Sequence, residues 1–467
     1  MTGSVLIGLF VVTIIVMILA ISKFKIHPFL AIMAVSLLFG LAAGIPLVNV
    51  TGEDGKVTQG IANVIGAGFS GTFTSIGIVI ILGALIGTIL EVTGAAFKLA
   101  EMVVKALGPK HPVLAMQIMG WVVSIPVFCD SGFVILDPIR KALVKRTKVS
   151  SVAMTVALST GLYASHVFIP PTPGPIAAAN TLFGGAEAAG THLLLVMGLG
   201  ALVSIPALIG SILFSQAIGK KVQSNEDKEL LESSKSYEEL IAEYGTLPNG
   251  FISLAPIVVP ILLMAMGSIA SMAKFTGLPL QIWSFLGTPI IALGAGVLFA
   301  VYQMAAAKKL DKFYETTNET LKIAGPILFI TAAGGVLGRV IASTSLVSYI
   351  TANAQSIATI GIFFPFILSA ILKTAQGSST VALVTTAGIV APLLGVLGLE
   401  SPVRIALTVM AIGAGAMTVS HANDSYFWVV TNFGNMTPDQ GYKTQTMATL
   451  IEGICAMAGI FVLSLIL

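Results

Sequence analysis

The stretch Ile118–Lys141, IMGWVVSIPVFCDSGFVILDPIRK, decides how this chain is threaded. It is apolar on both sides of a broken, polar centre, where Pro126 and Gly132 flank Cys129, Asp130 and Ser131. Pro removes a backbone donor and Gly weakens a helix, so the centre reads as a turn. Basic residues stand on both flanks: Lys98, Lys105 and Lys110 before, and Arg140, Lys141, Lys145, Arg146 and Lys148 after. Cytoplasmic loops of membrane proteins concentrate Lys and Arg, so the run 112–137 enters and leaves on one side. Such a re-entrant hairpin is tolerated only where it is buried in protein or lines a wet cavity.

Composition agrees with a membrane setting. Of the 467 residues 56% are hydrophobic and 10% charged, with a mean hydropathy of +0.97. Soluble domains carry about 25% charged residues, which excludes a water-soluble enzyme with one large core. The net charge of +3 comes from short basic clusters beside apolar runs and implies no nucleic-acid partner. Cys129 and Cys455 both lie in apolar surroundings and offer neither a disulfide framework nor CxxC spacing. The first run, Val5 to Ile21, has no basic residue ahead of it and no A-x-A site after it, and it approaches the ~20 residues that span a bilayer. It reads as a retained transmembrane helix.

Apolar runs fall at about 5–22, 28–48, 61–92, 112–137, 150–180, 190–217, 251–272, 281–306, 323–350, 356–394, 402–432 and 447–467. The run 356–394 breaks at the polar Lys373–Thr380, as a second hairpin would. Counting both as hairpins leaves ten crossings, five on each side of the charged segment 220–250. With both termini outside, Lys220, Lys221, Lys308, Lys309, Lys312 and Lys322 fall inside. Five crossings per half is an odd number, so the expected fold is all-α and polytopic, with inverted repeats at 1–219 and 251–467. The linker 220–250 holds seven of the 21 acidic residues and reads as a solvated, partly helical tether.

Self-similarity points the same way. GALIGTIL, from Gly83 to Leu90, matches GGVLGRVI, from Gly334 to Ile341, and the Ser165-His166 pair in one broken helix (about 150–180) matches Ser420-His421 in the other (about 402–432). The paired glycines fit close helix packing and support the fold alone.

Ionisable side chains inside a bilayer cost about 2.5–3.5 kcal/mol on insertion scales and default to functional candidates. Those at the breaks are Asp130, His166, Lys373, His421 and Asp424, with Arg339 beside the glycine pair and Glu91, Asp137 and Glu452 nearer the ends of runs. Asp130 is the leading proton or ion coupling residue and Asp424 the second; each alternatively serves as a carboxylate satisfied within a turn. The segment from His166 to Pro175 holds four prolines and cannot be regular helix, so a helix restarts after Pro175 and offers its N-terminus to the bundle centre. Substrate-binding candidates are Ser131, Gly132, His166, Thr172, Gly174, Gln376, Gly377, Ser378, Ser379, Thr380, His421 and Asn423, suited to carboxylate oxygens and hydroxyls. Arg339 or Lys373 supplies a positive charge or else snorkels to an interface.

The motifs PPTPGP, PVFCDSGFVIL, KTAQGSSTVALVTTAGIVAPLL and SHANDSYFW together resemble the gluconate permease family of the ion transporter superfamily, nearly end to end. The resemblance implies a proton-coupled carrier of gluconate, related sugar acids or D-serine in the bacterial inner membrane, built of two inverted repeats and assembled as a homodimer. Two departures stand out. The family pattern PPHPGP has Thr172 in its third position here, and a Glu-containing hairpin is replaced by Phe128-Cys129-Asp130-Ser131-Gly132-Phe133.

The leading reading is therefore a symporter of a small hydroxylated carboxylate, with no enzyme activity and no cofactor, and with the lipid bilayer as its other partner. Sodium coupling and organic-anion exchange are its rivals. A membrane metalloenzyme built from His166, His421, Asp130 and Asp424 lacks HExxH spacing, and a primary pump lacks a GxxxxGK[ST] loop.

Overall fold

The computed structural model describes residues 3–52, 55, 57–107, 111–125, 127–229, 247–272, 275–346, 349, 361–421 and 424–467. Its helices are α1 Gly3–Ser22, α2 Pro28–Ala42, α3 Ile61–Thr93, α4 Ala95–Leu107, α5 Pro112–Val123, α6 Cys129–Thr147, α7 Ser151–Phe168, α8 Pro173–Leu182, α9 Ala186–Ile218 and α10 Asn225–Glu229. After the linker come α11 Gly250–Met272, α12 Gly277–Gly287, α13 Pro289–Ala306, α14 Phe313–Ala342, α15 Phe363–Gln376, α16 Ser379–Val390, α17 Pro402–Met417, α18 Ser425–Phe433, α19 Pro438–Gly441 and α20 Met447–Ile466. Among the described residues the only sheet is a ribbon pairing Val50–Thr51 with Val57–Thr58. Among the described residues six stretches are long and apolar enough to cross a membrane, and shorter apolar helices accompany them. The chain is an all-helical polytopic membrane protein.

The helices sort into a buried centre and an outer shell. Every residue of α7 and of α16 is buried, which no amphipathic surface helix shows; a helix apolar all round belongs inside. Outside them, α1, α2, α9, α11, α13 and α20 turn large apolar side chains outward, among them Leu38, Leu213, Leu298 and Leu465. Close packing is set by small residues. A Cβ on Gly413 would stand 2.7 Å from the Val167 carbonyl oxygen, and one on Gly388 would stand 2.6 Å from that of Gly334, so α17 meets α7 and α16 meets α14 backbone to backbone. Beyond these contacts, α3 packs along α14, α9 along α20, α8 on α16 and α18 on α6.

Both polar interruptions are breaks between helices. The first hairpin is α5 and α6, parted at Ser124–Phe128; the second is α15 and α16, parted at Gly377 and Ser378. The second run's start, 356–360, lies outside the described residues. The first hairpin's second arm extends beyond the expected 137 to Thr147, because Asp137 pairs at one-turn spacing with Arg140 (2.7 Å) and Lys141 (2.8 Å), which carries the helix on past its apolar part. The first broken helix stops at Phe168 and restarts at Pro173, three residues before the expected restart at Ile176, since proline is well placed in a helix's first turn. The second parts at Thr418–Asp424, between α17 and α18.

The start of the linker is docked and does not read as a solvated tether. Arg140 is fully buried, and its guanidinium donates to Asp137 (2.7 Å), to Ser151 Oγ (2.7 Å), to Glu226 Oε1 (3.0 Å) and to the Phe433 carbonyl (3.2 Å). Asp227 accepts from the Ser151 amide at 2.7 Å. A buried guanidinium needs carboxylate partners, and Asp137 alone leaves donors unmet; Glu226 completes the set. Residues 230–246 lie outside the described residues.

Candidate functional site

Three helices begin at one point. The N-termini of α6, α16 and α18 converge on a cavity of about 300 Å³, to which α6 gives Cys129 and Asp130, α16 gives Ser379 and Thr380, and α18 gives Ser425 and Tyr426. Each start is fixed by local sequence. Ser378 caps α16 by accepting from the Val381 amide at 3.3 Å, and Asp424 caps α18 by accepting from the Tyr426 amide at 3.0 Å. Phe128, extended at ψ 142, starts α6 without a side-chain cap. First-turn N–H groups lack partners within their own helix and carry the positive end of its dipole, so the cavity favours an anion.

The two carboxylates at the cavity are treated differently. Asp424 is 4% exposed and closed by partners: Lys373 Nζ and Ser420 Oγ each donate to its Oδ2 at 2.5 Å. Lys373, itself fully buried, also donates to the Gly377 carbonyl at 2.5 Å and lies 5.8 Å from the centre of the Tyr163 ring. Asp130 accepts from Ser425 Oγ at 3.1 Å and from Cys129 Sγ at 3.6 Å. Those partners are neutral, and no ion pair to Asp130 is found among the described residues. The Ser425 bond also joins α18 to α6 across the chain's two halves.

The remaining candidates divide. His166, buried in the last turn of α7, lines the cavity with its ring 5.9 Å from that of Phe128, and its Nδ1 has no hydrogen-bond partner among the described residues. Ser378, Ser379 and Thr380 line it too. His421 instead clamps the second break to the end of α15 through the Thr374 carbonyl, 3.0 Å away. Gly132 and Gly174 are packing positions: an added Cβ would lie 2.6 Å from Leu162 and 2.7 Å from Leu383, respectively. Gly377 takes the left-handed conformation, φ 81, that ends α15. Thr172 donates to the Ile169 carbonyl at 2.6 Å. The N-terminus of α8 has lost the N–H groups of Pro173 and Pro175, so it is the poorest anion donor of the four restarting helices. Ser131 sits in the first turn of α6 and Gln376 ends α15, while Asn423 lies outside the described residues.

Two rivals for the positive charge separate cleanly. Lys373 is at the site, while Arg339 is exposed on a glycine-lined cavity of about 550 Å³ at the far ends of α8 and α16. Sequence reasoning missed Ser425, Ser420, Tyr163 and Tyr426. Asp424 immediately before SYFWVV, which starts at Ser425, was a legible cap signature; the tyrosines carried no signal.

The chain matches the GntP family permease model over residues 5–466. It is 36% identical over 437 residues to an uncharacterized permease of Haemophilus influenzae, covering 91% of this chain and 85% of that one. It is 30% identical to a gluconate permease of Pseudomonas aeruginosa and 31% identical to the D-serine transporter DsdX of Escherichia coli, each covering 98% of this chain and 97% of the relative. Among solved structures, the YdaH transporter of Alcanivorax borkumensis superposes with a TM-score of 0.60 at 17% identity, covering 94% of this chain and 97% of that one. MtrF of Neisseria gonorrhoeae, an antimetabolite efflux pump, gives 0.62 at 14%, covering 95% and 96%. These two likenesses bear on the fold. The chain belongs to the GntP permease family and is a membrane transporter, not an enzyme.

Proposed function

We propose that this protein imports a small hydroxylated carboxylate, gluconate or a related sugar acid, together with protons, by alternating access between two inverted repeats with both termini outside. The reading rests chiefly on one observation: an anion-favouring cavity, at the start of three helices, that holds a carboxylate, Asp130, in no ion pair among the described residues. Its volume lies at the low end of the ~300–1,000 Å³ usual for small ligands. In this scheme the cargo carboxylate takes the helix N-termini and Lys373, while Ser378, Ser379, Thr380 and Ser425 meet its hydroxyls.

Asp130 then couples the proton. Two unit charges 4 Å apart repel by about 4 kcal/mol at an effective dielectric constant near 20, so an ionised Asp130 resists an anionic cargo. Protonation removes that repulsion and makes entry of the cargo conditional on the proton. Paired packing of α3 with α14, α9 with α20, and α8–α16 with α18–α6 supports the repeat plan.

Proteoliposomes test this. Asp130→Asn is expected to retain counterflow exchange and lose accumulation driven by a pH gradient; wild-type accumulation in this variant removes Asp130 from coupling. Uptake at fixed pH with and without Na⁺ separates proton from sodium drive. A panel of gluconate, other sugar acids, glycerate, lactate and D-serine identifies the cargo, and a response only to uncharged sugars rejects an anion site.

A further inference from the structure

Glu452 is fully buried in α20, and neither carboxyl oxygen has a hydrogen-bond partner among the described residues. An ionised carboxylate placed so would forgo the bonds that offset its desolvation. Polar residues lie along its own helix toward the N-terminal end. Gln445, Thr449 and Glu452 follow at i, i+4 and i+7, hence on one helix face, and all three are fully buried. That face looks at the second break. Thr449 Oγ1 accepts from the Ser420 amide at 3.0 Å, and Thr446 Oγ1 donates to the Ser420 carbonyl at 2.6 Å. Gln445 Oε1 accepts from Ser159 Oγ at 2.7 Å, leaving its amide nitrogen unpartnered among the described residues. The stripe begins in a π turn, Tyr442–Thr446, a distortion frequent at functional sites. At its far end an added Cβ on Gly453 would meet the Ala414 carbonyl at 2.9 Å, which brings this turn of α20 against the end of α17.

We propose that Glu452 is a second proton-carrying residue of the transport cycle, holding a proton while the second break is packed against its helix and giving it to water when that break moves and exposes the carboxyl. The O–H bond of the Glu452 carboxyl breaks as an O–H bond forms on water, and the carboxylate left behind is then hydrated. Titratable groups on elements packed against α20 are Tyr163 and His166 of α7 and Tyr442 and Lys443 of the π turn, with Tyr426 of α18 packed on that turn and Cys455 one turn along α20 itself. The stretch of α9 from Leu193 and that of α17 from Ile405 to Met417 contain none. The inference rests on the proton-coupled reading above.

Two measurements test it. In proteoliposomes the proton-to-substrate ratio, read from the voltage that nulls net flux, is expected to fall by one in Glu452→Gln, with counterflow continuing at a reduced rate. A ratio equal to that of the wild type overturns the inference. The second uses the wild-type protein and no transport. A hydrophobic carbodiimide, which attacks protonated buried carboxyls, is expected to label Glu452 at neutral pH, mapped by mass spectrometry, and to be slowed by cargo; absence of label overturns the inference even if Glu452→Gln fails to fold. Wild-type uptake indifferent to a pH gradient, with Glu452 labelled, instead brings down the proton reading on which the inference depends.

Discussion

The break between α7 and α8 and the break between α17 and α18 occupy matching places in chain order and share little chemistry. The first, Ile169–Thr172, is closed by neutral contacts, with a cis Pro170–Pro171 bond and the Thr172 hydroxyl on the Ile169 carbonyl. The second is closed by ions and caps: Lys373, Ser420 and the Tyr426 amide all converge on Asp424. Their hairpins differ in the complementary sense. The first presents Asp130, in no ion pair among the described residues, and the second presents Lys373, paired with Asp424. The two breaks thus divide their charges, one holding a closed ion pair and the other facing an acid whose hydrogen-bond partners among the described residues are the neutral Ser425 and Cys129 side chains.

Breaking the ion pair gives the largest effect. Lys373→Ala leaves Asp424 buried and unpaired, which costs about 3–5 kcal/mol, and is expected to lower the melting temperature in detergent sharply and abolish uptake. Adding Asp424→Asn is expected to restore most of the lost stability but not transport. A Lys373→Ala protein as stable as the wild type would erase the contrast between the halves. Next comes packing under the second hairpin. Gly388 already lies so close to Gly334 that Gly388→Val overpacks the contact and is expected to cost about 1–3 kcal/mol in the same melting assay. The smallest effect belongs to the neutral break: Thr172→Ala gives up one hydrogen bond, about 0.5–1.5 kcal/mol, with uptake largely kept. Loss of uptake there would show that the first break does more than hold its shape.

Much of this was legible in the chain. Hairpins, broken helices and the charged linker could be read because each interrupts an apolar run with residues that forbid regular helix. Asp130, Asp424, Lys373 and His166 stood out because charge is expensive among such runs. Thr172, Gly132 and Gly174 were legible as unusual but not as packing positions, since a break looks the same in sequence whether it faces ligand or a neighbouring helix. Tyr163 and Tyr426 were invisible for the opposite reason: an aromatic in an apolar run is ordinary, and only the fold brings Lys373 to within 5.8 Å of the Tyr163 ring centre. The docking of Glu226 was hidden because its partners, Arg140 and Ser151, lie over seventy residues upstream.

Arg140 works as a buckle. It fastens Glu226 to α6 and α7 from the first half and to the Phe433 carbonyl from the second, and the Asn225 amide adds a bond of 3.2 Å to the Asn435 carbonyl. The start of the linker therefore rides with the hairpin and the broken helices, not with the lipid-facing shell. Any movement of that central block carries Asn225 and Glu226 with it.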